Sequence, residues 1–318
     1  MSSRRFRFGV HSSDAPTGEA WAAAAQRYEA MGFSTLLLRD HFDQQIAPIA
    51  AMTAAACATA TLRVGCLVFD NDYRHPLVLA KELATLDRLS GGRVEVGLGA
   101  GWMAPDYEQA GISFDEPGVR VSRFHEGVRL LKAFFAGGPV DFAGEHYTIS
   151  GHDMYPPCVQ QPRPPILLVA GGPRMTRIAA TEADIVAINP GKKSNELWED
   201  QNLPDASADA VDRKVDAIRD AAGDRYADLE LQIVVPFVVP TDDREGTAAA
   251  IAGGLPSDPA LDLSAKTVLE SPYVLIGTED QICETLVERR DRWDLSYYVF
   301  NDDSVDAVAP IVARLAGT

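Results

Sequence analysis

Apolar and polar positions along the chain follow two alternating patterns. Short apolar runs predict strands over residues 6–10, 35–38, 62–69, 93–98, 166–170, 184–188, 229–239 and 296–300. Several of these runs are continuous rather than alternating, as parallel strands buried on both faces require. Helical spacing fills the gaps. Thr17 is placed to cap a helix over about 19–31, which Gly32 closes, and residues 46–59 form an alanine-rich helix. In the segment NDYRHPLVLAKELATLDRLSGGRVEVGLGAG, Pro76 suits a first helical turn, where its missing N–H is not needed. Leu79, Leu83, Leu86 and Leu89 then make one apolar stripe, and Gly91-Gly92 ends the helix.

Strand and helix alternating in this way predict an α/β chain with a parallel sheet, and eight such units fit a (β/α)8 TIM barrel. The whole chain, 1–318, is read as one domain with insertions at the C-terminal face of the strands, over about 103–165 and 189–229. The first insertion contains a helix near 120–136, with Val121, Phe124, Val128 and Leu131 on one face. A hairpin-like VDFAGEHYTI and a proline-rich YPPCVQQPRPP follow it. Residues 241–269 form a further polar, alanine-rich excursion. No repeat of fixed period is present.

Composition narrows the partners. The 318 residues carry a net charge of -17, from 46 acidic against 29 basic residues, so nucleic acid and anionic membrane surfaces are set aside. Cys57, Cys66, Cys158 and Cys283 are scattered without a Cys-x-x-Cys pair, which argues against a metal or redox motif and for reduced thiols in a cytoplasmic protein. The start of the chain lacks the apolar core of a signal peptide, and no apolar run approaches the roughly 20 residues of a membrane span.

In a barrel, chemistry gathers at the C-terminal ends of the strands. Those ends carry His11, Asp40-His41, Asp70-Asn71, Gly99 to Trp102, Gly171 to Arg174, Asn189 and Asn301. His41 is the candidate proton-handling group, with Asp40 as a carboxylate to orient it or hold its charge. Neighbours on a strand point to opposite faces, so Asp40 and His41 do not share a metal, and no metal site is predicted. Ala170-Gly171-Gly172-Pro173-Arg174 leaves a strand and opens a helix, which makes an anion site out of backbone N–H groups, with Arg174 adding charge. Arg177, Lys192 and Lys193 on neighbouring loops extend this basic cluster in an acidic protein, as a polyanionic ligand requires. A solvated charge run accounts equally for the two lysines. Gly97, Gly99 and Gly101 have the spacing G-x-G-x-G, not that of a dinucleotide fingerprint. They imply close approach of something to the backbone. Trp102 fits the flat wall of a pocket. His75, His125, His146 and His152 are singletons and read as structural or solvent-exposed.

With these residues in place, the sequence resembles the luciferase-like monooxygenase superfamily, and within it the branch that uses the deazaflavin coenzyme F420. The resemblance is carried by MGFSTLLLRDHF, LRVGCLVFDNDYRHPLVLAKELATLDRLSGGRVEVGLGAGW, FAGEHY, QPRPPILLVAGGPR and VLIGTEDQ. It implies a TIM barrel and a homodimer. It implies an acid/base or hydride-site role for His41 with Asp40 beside it. It also implies a non-proline cis peptide around Cys66-Leu67-Val68 that backs the cofactor ring, and a phosphate held by Ala170, Gly171, Gly172, Pro173 and Arg174. Gly99 and Gly101 join this cofactor-binding set, and His11, Asn71, Trp102 and Asn189 are the substrate candidates. In the sugar-phosphate dehydrogenases of the family a glutamate follows the fourth-strand glycines. Here Trp102 stands there, so that substrate and that proton donor are not carried over.

Three functions follow as expectations. The first is an F420-dependent oxidoreductase that transfers a hydride to or from an unknown small organic substrate. The second is a reduced-FMN-dependent monooxygenase on the same fold. The third is a non-catalytic flavin-binding protein.

Overall fold

A computed structural model describes residues 4–190, 203–255 and 264–318. The elements through the first half are β1 (Arg7–His11), α1 (Gly18–Ala30), β2 (Thr35–Leu38), α2 (Pro48–Ala58), β3 (Arg63–Cys66), β4 (Phe69–Asp70), α3 (Pro76–Ser90) and β5 (Val94–Gly99). Next come α4 (Ala104–Ala110), α5 (Pro117–Ala136), the strands β6 (Pro139–Ala143) and β7 (Thr148–Asp153), β8 (Ile166–Ala170), α6 (Pro173–Glu182) and β9 (Ile185–Ile188). The remainder holds α7 (Ala208–Ala222), β10 (Glu230–Val235), β11 (Phe237–Pro240), α8 (Arg244–Gly254), α9 (Ala265–Glu270), β12 (Val274–Gly277), α10 (Glu279–Trp293), β13 (Leu295–Asn301) and α11 (Val305–Leu315).

The main sheet has nine strands in the order β3-β2-β1-β13-β10-β9-β8-β5-β4, with a further pairing of β3 to β5. β3 and β4 are two pieces of one strand position, parted at Leu67-Val68, where the peptide bond is cis. Counted so, the strands and their intervening helices make a (β/α)8 barrel. The expected third strand, 62–69, is therefore interrupted. The expected seventh, 229–239, also splits, because Pro236 has no N–H to continue the ladder. Its second half, β11, pairs in parallel with β12 in a small separate sheet. β12 was not among the expected strands.

The chain divides into two compact units. One comprises His11–Ala30 and Ser34–Leu168; the other comprises Met1–Val10, Met31–Phe33 and Val169–Thr318. In the first, β2, β3 and β5 run parallel, with Leu36 opposite Val64 and Val64 opposite Val94. α3 follows the sequence reading closely. Pro76 opens it, the His75 ring accepts the Leu77 N–H as a cap, and Gly91 closes it in the left-handed conformation at φ 69°. Leu79, Leu83 and Leu86 of its stripe are buried, whereas Leu89 is 65% exposed. Buried Asp87 accepts N–H groups of Val159 and Gln160 at 2.7 and 3.0 Å, which ties the proline-rich segment to α3. The expected hairpin is present as antiparallel β6–β7. The Glu126 carboxylate on α5 accepts the backbone N–H groups of Glu145, His146 and Tyr147 at its tip.

In the second unit, β10 pairs in parallel with β9 and β13. Phe6, Phe8, Tyr298 and Phe300 stack into one aromatic layer with centroids 6.0–6.4 Å apart. Arg7 pairs with Glu230 at 2.8 Å and covers the Tyr297 ring. Ala248, Ala252, Val268, Val274 and Ile276 form the small core between β11–β12 and their two helices. None of the described helices is long and apolar enough to cross a membrane.

Candidate active site

The end of β2 supplies Asp40 and His41, and the structure sends them to different partners. Both oxygens of buried Asp40 take the Arg74 guanidinium, at 2.6 and 3.0 Å, and one of them also accepts the Asp70 N–H at 3.1 Å. Asp40 therefore closes a two-pronged pair with the arginine of the RHP motif. The carboxylate on His41 is instead Asp106, from α4. Its Oδ2 lies 2.7 Å from His41 Nδ1 and also accepts the Tyr73 hydroxyl at 3.1 Å. Asp106 is 3% exposed. Trp102 meets the His41 ring edge-on, with centroids 5.6 Å apart at 87°. The expectation that Asp40 orients His41 is corrected in this respect, and both residues lie beyond the end of β2 rather than on the strand.

A second cluster lies beside this pair. The Tyr107 hydroxyl is 3.0 and 2.9 Å from the two oxygens of Asp70 and 3.1 Å from Asp72 Oδ2. Arg123 grips both oxygens of Asp72 at 2.7 and 2.8 Å and reaches Asp115 at 2.7 Å. Asp72 is thus neutralised by a guanidinium, and Asp70 has only a phenol and an N–H. Burial pushes the Asp70 carboxyl up to about 7, and the charges of Asp72 and Asp40 add to the rise. A folded-state value raised above the unfolded one gives stability that is present in acid and lost as pH rises from about 4 to about 7. Asp70→Asn keeps an acceptor for Tyr107 and removes the titration. Its stability relative to wild type is expected to improve by roughly 2–3 kcal/mol between pH 5 and pH 8. Urea unfolding at the two values checks this. A pH-independent difference would mean that Asp70 is ionised throughout.

The glycines in and just after β5 turn out to fit the chain to itself. A Cβ on Gly97 would overlap the Cys66 carbonyl oxygen; one on Gly99 would stand 2.6 Å from Val68 Cγ2. At Gly101, φ is +75° and a Cβ would overlap the Tyr107 hydroxyl. What approaches this backbone is therefore the cis segment and the Tyr107–Asp70 contact. Leu67 and Val68 are half-buried between buried Cys66 and Phe69. The Leu67 N–H donates to the Leu38 carbonyl at 2.7 Å, which sets this apolar pair beside the strand end that carries His41. Burial pushes the Cys66 thiol up, so it serves as packing.

The substrate candidates separate. His11 ends β1, is buried, and its Nε2 accepts Arg39 Nε at 3.3 Å. Asn71 is buried against the chain: its Nδ2 donates to the Tyr147 hydroxyl at 3.1 Å, and its Oδ1 occupies the space a Cβ on Gly127 would need. Trp102 is 37% exposed beside His41. In the other unit, Asn189 follows β9, and its carbonyl accepts Lys214 Nζ at 2.6 Å. Lys192 and Lys193 lie outside the described residues.

Also in that second unit, Ala170 ends β8 and Gly172 caps α6 through its backbone, with no side-chain capping bond. Cβ atoms on Gly171 and Gly172 would meet nothing within 4 Å, and Gly172, Pro173 and Arg174 are exposed. This ten-residue helix offers its first N–H groups to an anion, and the open glycines leave room for a phosphate. The half-exposed Leu67–Val68 pair, for its part, suits an apolar ring face.

Sequence reading missed Asp106, Tyr73, Tyr107, Arg74 and Arg123. A signal for α4 was present: Pro105 and Gly111 bracket APDYEQA as a short helix, and Gly111 does close it at φ 68°. Nothing local shows that Asp106 turns toward His41, 65 positions away.

Residues 3–294 match the family model described as luciferase-like monooxygenase. The F420-dependent glucose-6-phosphate dehydrogenase of Mycobacterium avium (strain 104) is 33% identical over 204 residues, which are 60% of this chain and 59% of that protein. The chain thus spans about three fifths of the length of that relative. The coenzyme F420-dependent tetrahydromethanopterin reductase of Methanopyrus kandleri superposes with a TM-score of 0.77 at 18% identity, covering 98% of this chain and 99% of the other. The EDTA monooxygenase of Chelativorans sp. BNC1 gives 0.76 at 15%, over 99% and 95%. The family match covers nearly the whole chain, and the chain belongs to the luciferase-like monooxygenase family.

Proposed function

We propose that this chain is a coenzyme F420-dependent oxidoreductase that moves a hydride between the deazaflavin and a small organic substrate, with His41 handling the accompanying proton. The observation that carries the reading is the His41–Asp106 pair at 2.7 Å, beyond the end of the strand whose Leu38 carbonyl accepts the N–H of half-buried Leu67. The mycobacterial relatives, which are F420-dependent glucose-6-phosphate dehydrogenases, support it. When bound, the deazaflavin accepts or returns a hydride at a ring carbon and reacts poorly with oxygen. The protein's part is to hold ring and substrate, exclude water, and exchange a proton at the imidazole. Leu67 and Val68 are assigned to the ring; the turn Ala170–Arg174, described by itself, is a candidate anion site. Trp102 is assigned to the substrate side of His41, and its indole, in place of a carboxylate, favours a substrate other than a sugar phosphate.

Fluorescence titration of the purified protein with F420 and, separately, with FMN tests the reading. Tight F420 binding with weak FMN binding is expected. Preference for FMN would overturn it and direct the next assay to oxygen uptake with reduced FMN.

The proposal extends to a homodimer. Its support is the exposed apolar pair Val78 and Leu89 on α3, 52% and 65% exposed, and, at Leu89, a groove of about 280 Å³ in which Ile49, Leu86 and Leu89 are joined by Thr53, Lys81, Glu82 and Thr85. Sedimentation equilibrium of the wild-type chain should return twice the mass of one chain, and a monomer mass would end this part of the proposal.

A further inference from the structure

We infer that Asp106, steadied by Tyr73, is a positioning residue that fixes His41 with its hydrogen on Nδ1 and leaves Nε2 bare for the reacting proton. The inference rests on the reading of His41 as the proton-handling group and adds which atom of the ring does the work, and why.

Asp106 Oδ2 accepts the Tyr73 hydroxyl at 3.1 Å, so it stands as an acceptor toward the ring 2.7 Å away as well. An acceptor at Nδ1 requires the hydrogen on Nδ1. In water a neutral imidazole favours the opposite form, with hydrogen on Nε2, so the protein has to impose this one. It does so with a buried group: Asp106 is 3% exposed, whereas the His41 side chain retains 17% exposure. The geometry is stiff on both sides. Trp102 meets the ring edge-on and restricts its rotation. Tyr73 is itself packed, stacked on Phe42 with centroids 4.5 Å apart. α4 is only seven residues long, and its next residue, Tyr107, is anchored on Asp70 and Asp72, so Asp106 cannot swing away from His41 without pulling that anchor. Asp40 is unavailable for the role, because Arg74 takes both its oxygens.

With F420 bound as hydride acceptor, an alcohol substrate would be oxidised to its carbonyl compound: the hydride would leave the carbon for the deazaflavin, and the hydroxyl proton would pass to Nε2 as the C–O double bond formed. Asp106 faces the positive charge that then appears on the ring. In the reverse direction the same atom returns the proton. A wrong tautomer presents Nε2–H where a base is needed, and a carboxylate-to-amide change that does this in a serine-protease triad costs about 10⁴-fold in kcat.

The test is nitrogen-15 NMR of histidine-labelled protein without cofactor, with His41 assigned by the signals lost in His41→Gln. Recorded where the ring is neutral, the wild-type His41 should carry its hydrogen on Nδ1. In Asp106→Ala the ring should revert to hydrogen on Nε2, and Asp106→Glu should restore the wild-type form at least in part. Hydrogen on Nε2 in the wild-type spectrum overturns the inference even if no variant folds, and so does an Asp106→Ala spectrum unchanged from wild type. Turnover is the separate arm. kcat in Asp106→Ala should fall about 10²–10⁴-fold with KM nearly unchanged. A tautomer that moves while kcat stays would refute the proton role of His41 and leave the positioning by Asp106 standing.

Discussion

His41→Gln should turn over substrate about 10²–10⁴-fold more slowly than the wild-type chain while binding F420 within a few-fold of it. The two halves of this expectation come from different parts of the structure. Ring binding is assigned to Leu67 and Val68, which His41 does not shape; the β3–β4 segment is instead fixed by the Leu67 N–H on the Leu38 carbonyl and by Val68 seated over Gly99. Proton exchange is assigned to the imidazole alone. Glutamine retains an amide of similar reach and cannot serve as a base near neutral pH. The substitution also leaves Asp106 its Tyr73 partner, so the local fold has a donor to keep. The check is a steady-state assay following the deazaflavin fluorescence, paired with a binding titration on the same variant. Unchanged turnover would remove His41 from the chemistry; lost binding with turnover otherwise intact would make it a cofactor ligand instead.

Gly97→Ala should be strongly destabilising. Gly97 is buried in the middle of β5, and a Cβ there would overlap the carbonyl oxygen of Cys66 on the neighbouring strand and stand 3.2 Å from Val68 Cγ1. A backbone carbonyl cannot turn away as a side chain can, so the two strands must part. Overpacking commonly costs 1–3 kcal/mol, and a clash with backbone belongs above that range, at about 3 kcal/mol or more. With an unfolding entropy of about 2.1 cal/mol/K per residue, a chain of 318 residues shifts by about 1.5 °C per kcal/mol, so the melting midpoint should drop by about 5 °C or more. Gly172→Ala is the matched control, because its Cβ would meet nothing within 4 Å and its φ of -90° suits alanine. That variant should melt within a degree or two of wild type. Equal melting of Gly97→Ala and wild type would show that the strands adjust at no cost, and the internal-fit reading of these glycines would fail.

The barrel was legible because its signals are local and repeated. Apolar runs such as TLLL and ILLVA are strands with the predicted ends, at Thr35–Leu38 and Ile166–Ala170. α3 was bounded by Pro76 and Gly91, two residues whose backbone preferences act within one turn. The misses have long-range causes. The break at Leu67-Val68 was placed by resemblance and not by any rule of spacing. β12 is four residues, VLIG, and gains its partner only from β11, on the far side of two helices. At the site, sequence gave the strand-end position of His41 but not the identity of its carboxylate. Asp40 is adjacent in the chain and Asp106 adjacent in space, and the bidentate hold of Arg74 on Asp40 decides between them. The glycine run was read as making room for a ligand, because a glycine's missing side chain looks the same from sequence whether a cofactor or Val68 fills the space.

The clasp of the β6–β7 hairpin has a practical use. Glu126 holds three successive N–H groups at its tip, and Tyr147 reaches from there to Asn71, which directly precedes Asp72, Tyr73 and Arg74. The hairpin is therefore tied to the segment that pins Asp40 and Asp106, although its outer positions, among them Thr148 and Ser150, face solvent. A fluorophore attached at either position would act as a remote gauge, reporting rearrangement around His41 as substrates are screened while leaving that pocket chemically untouched.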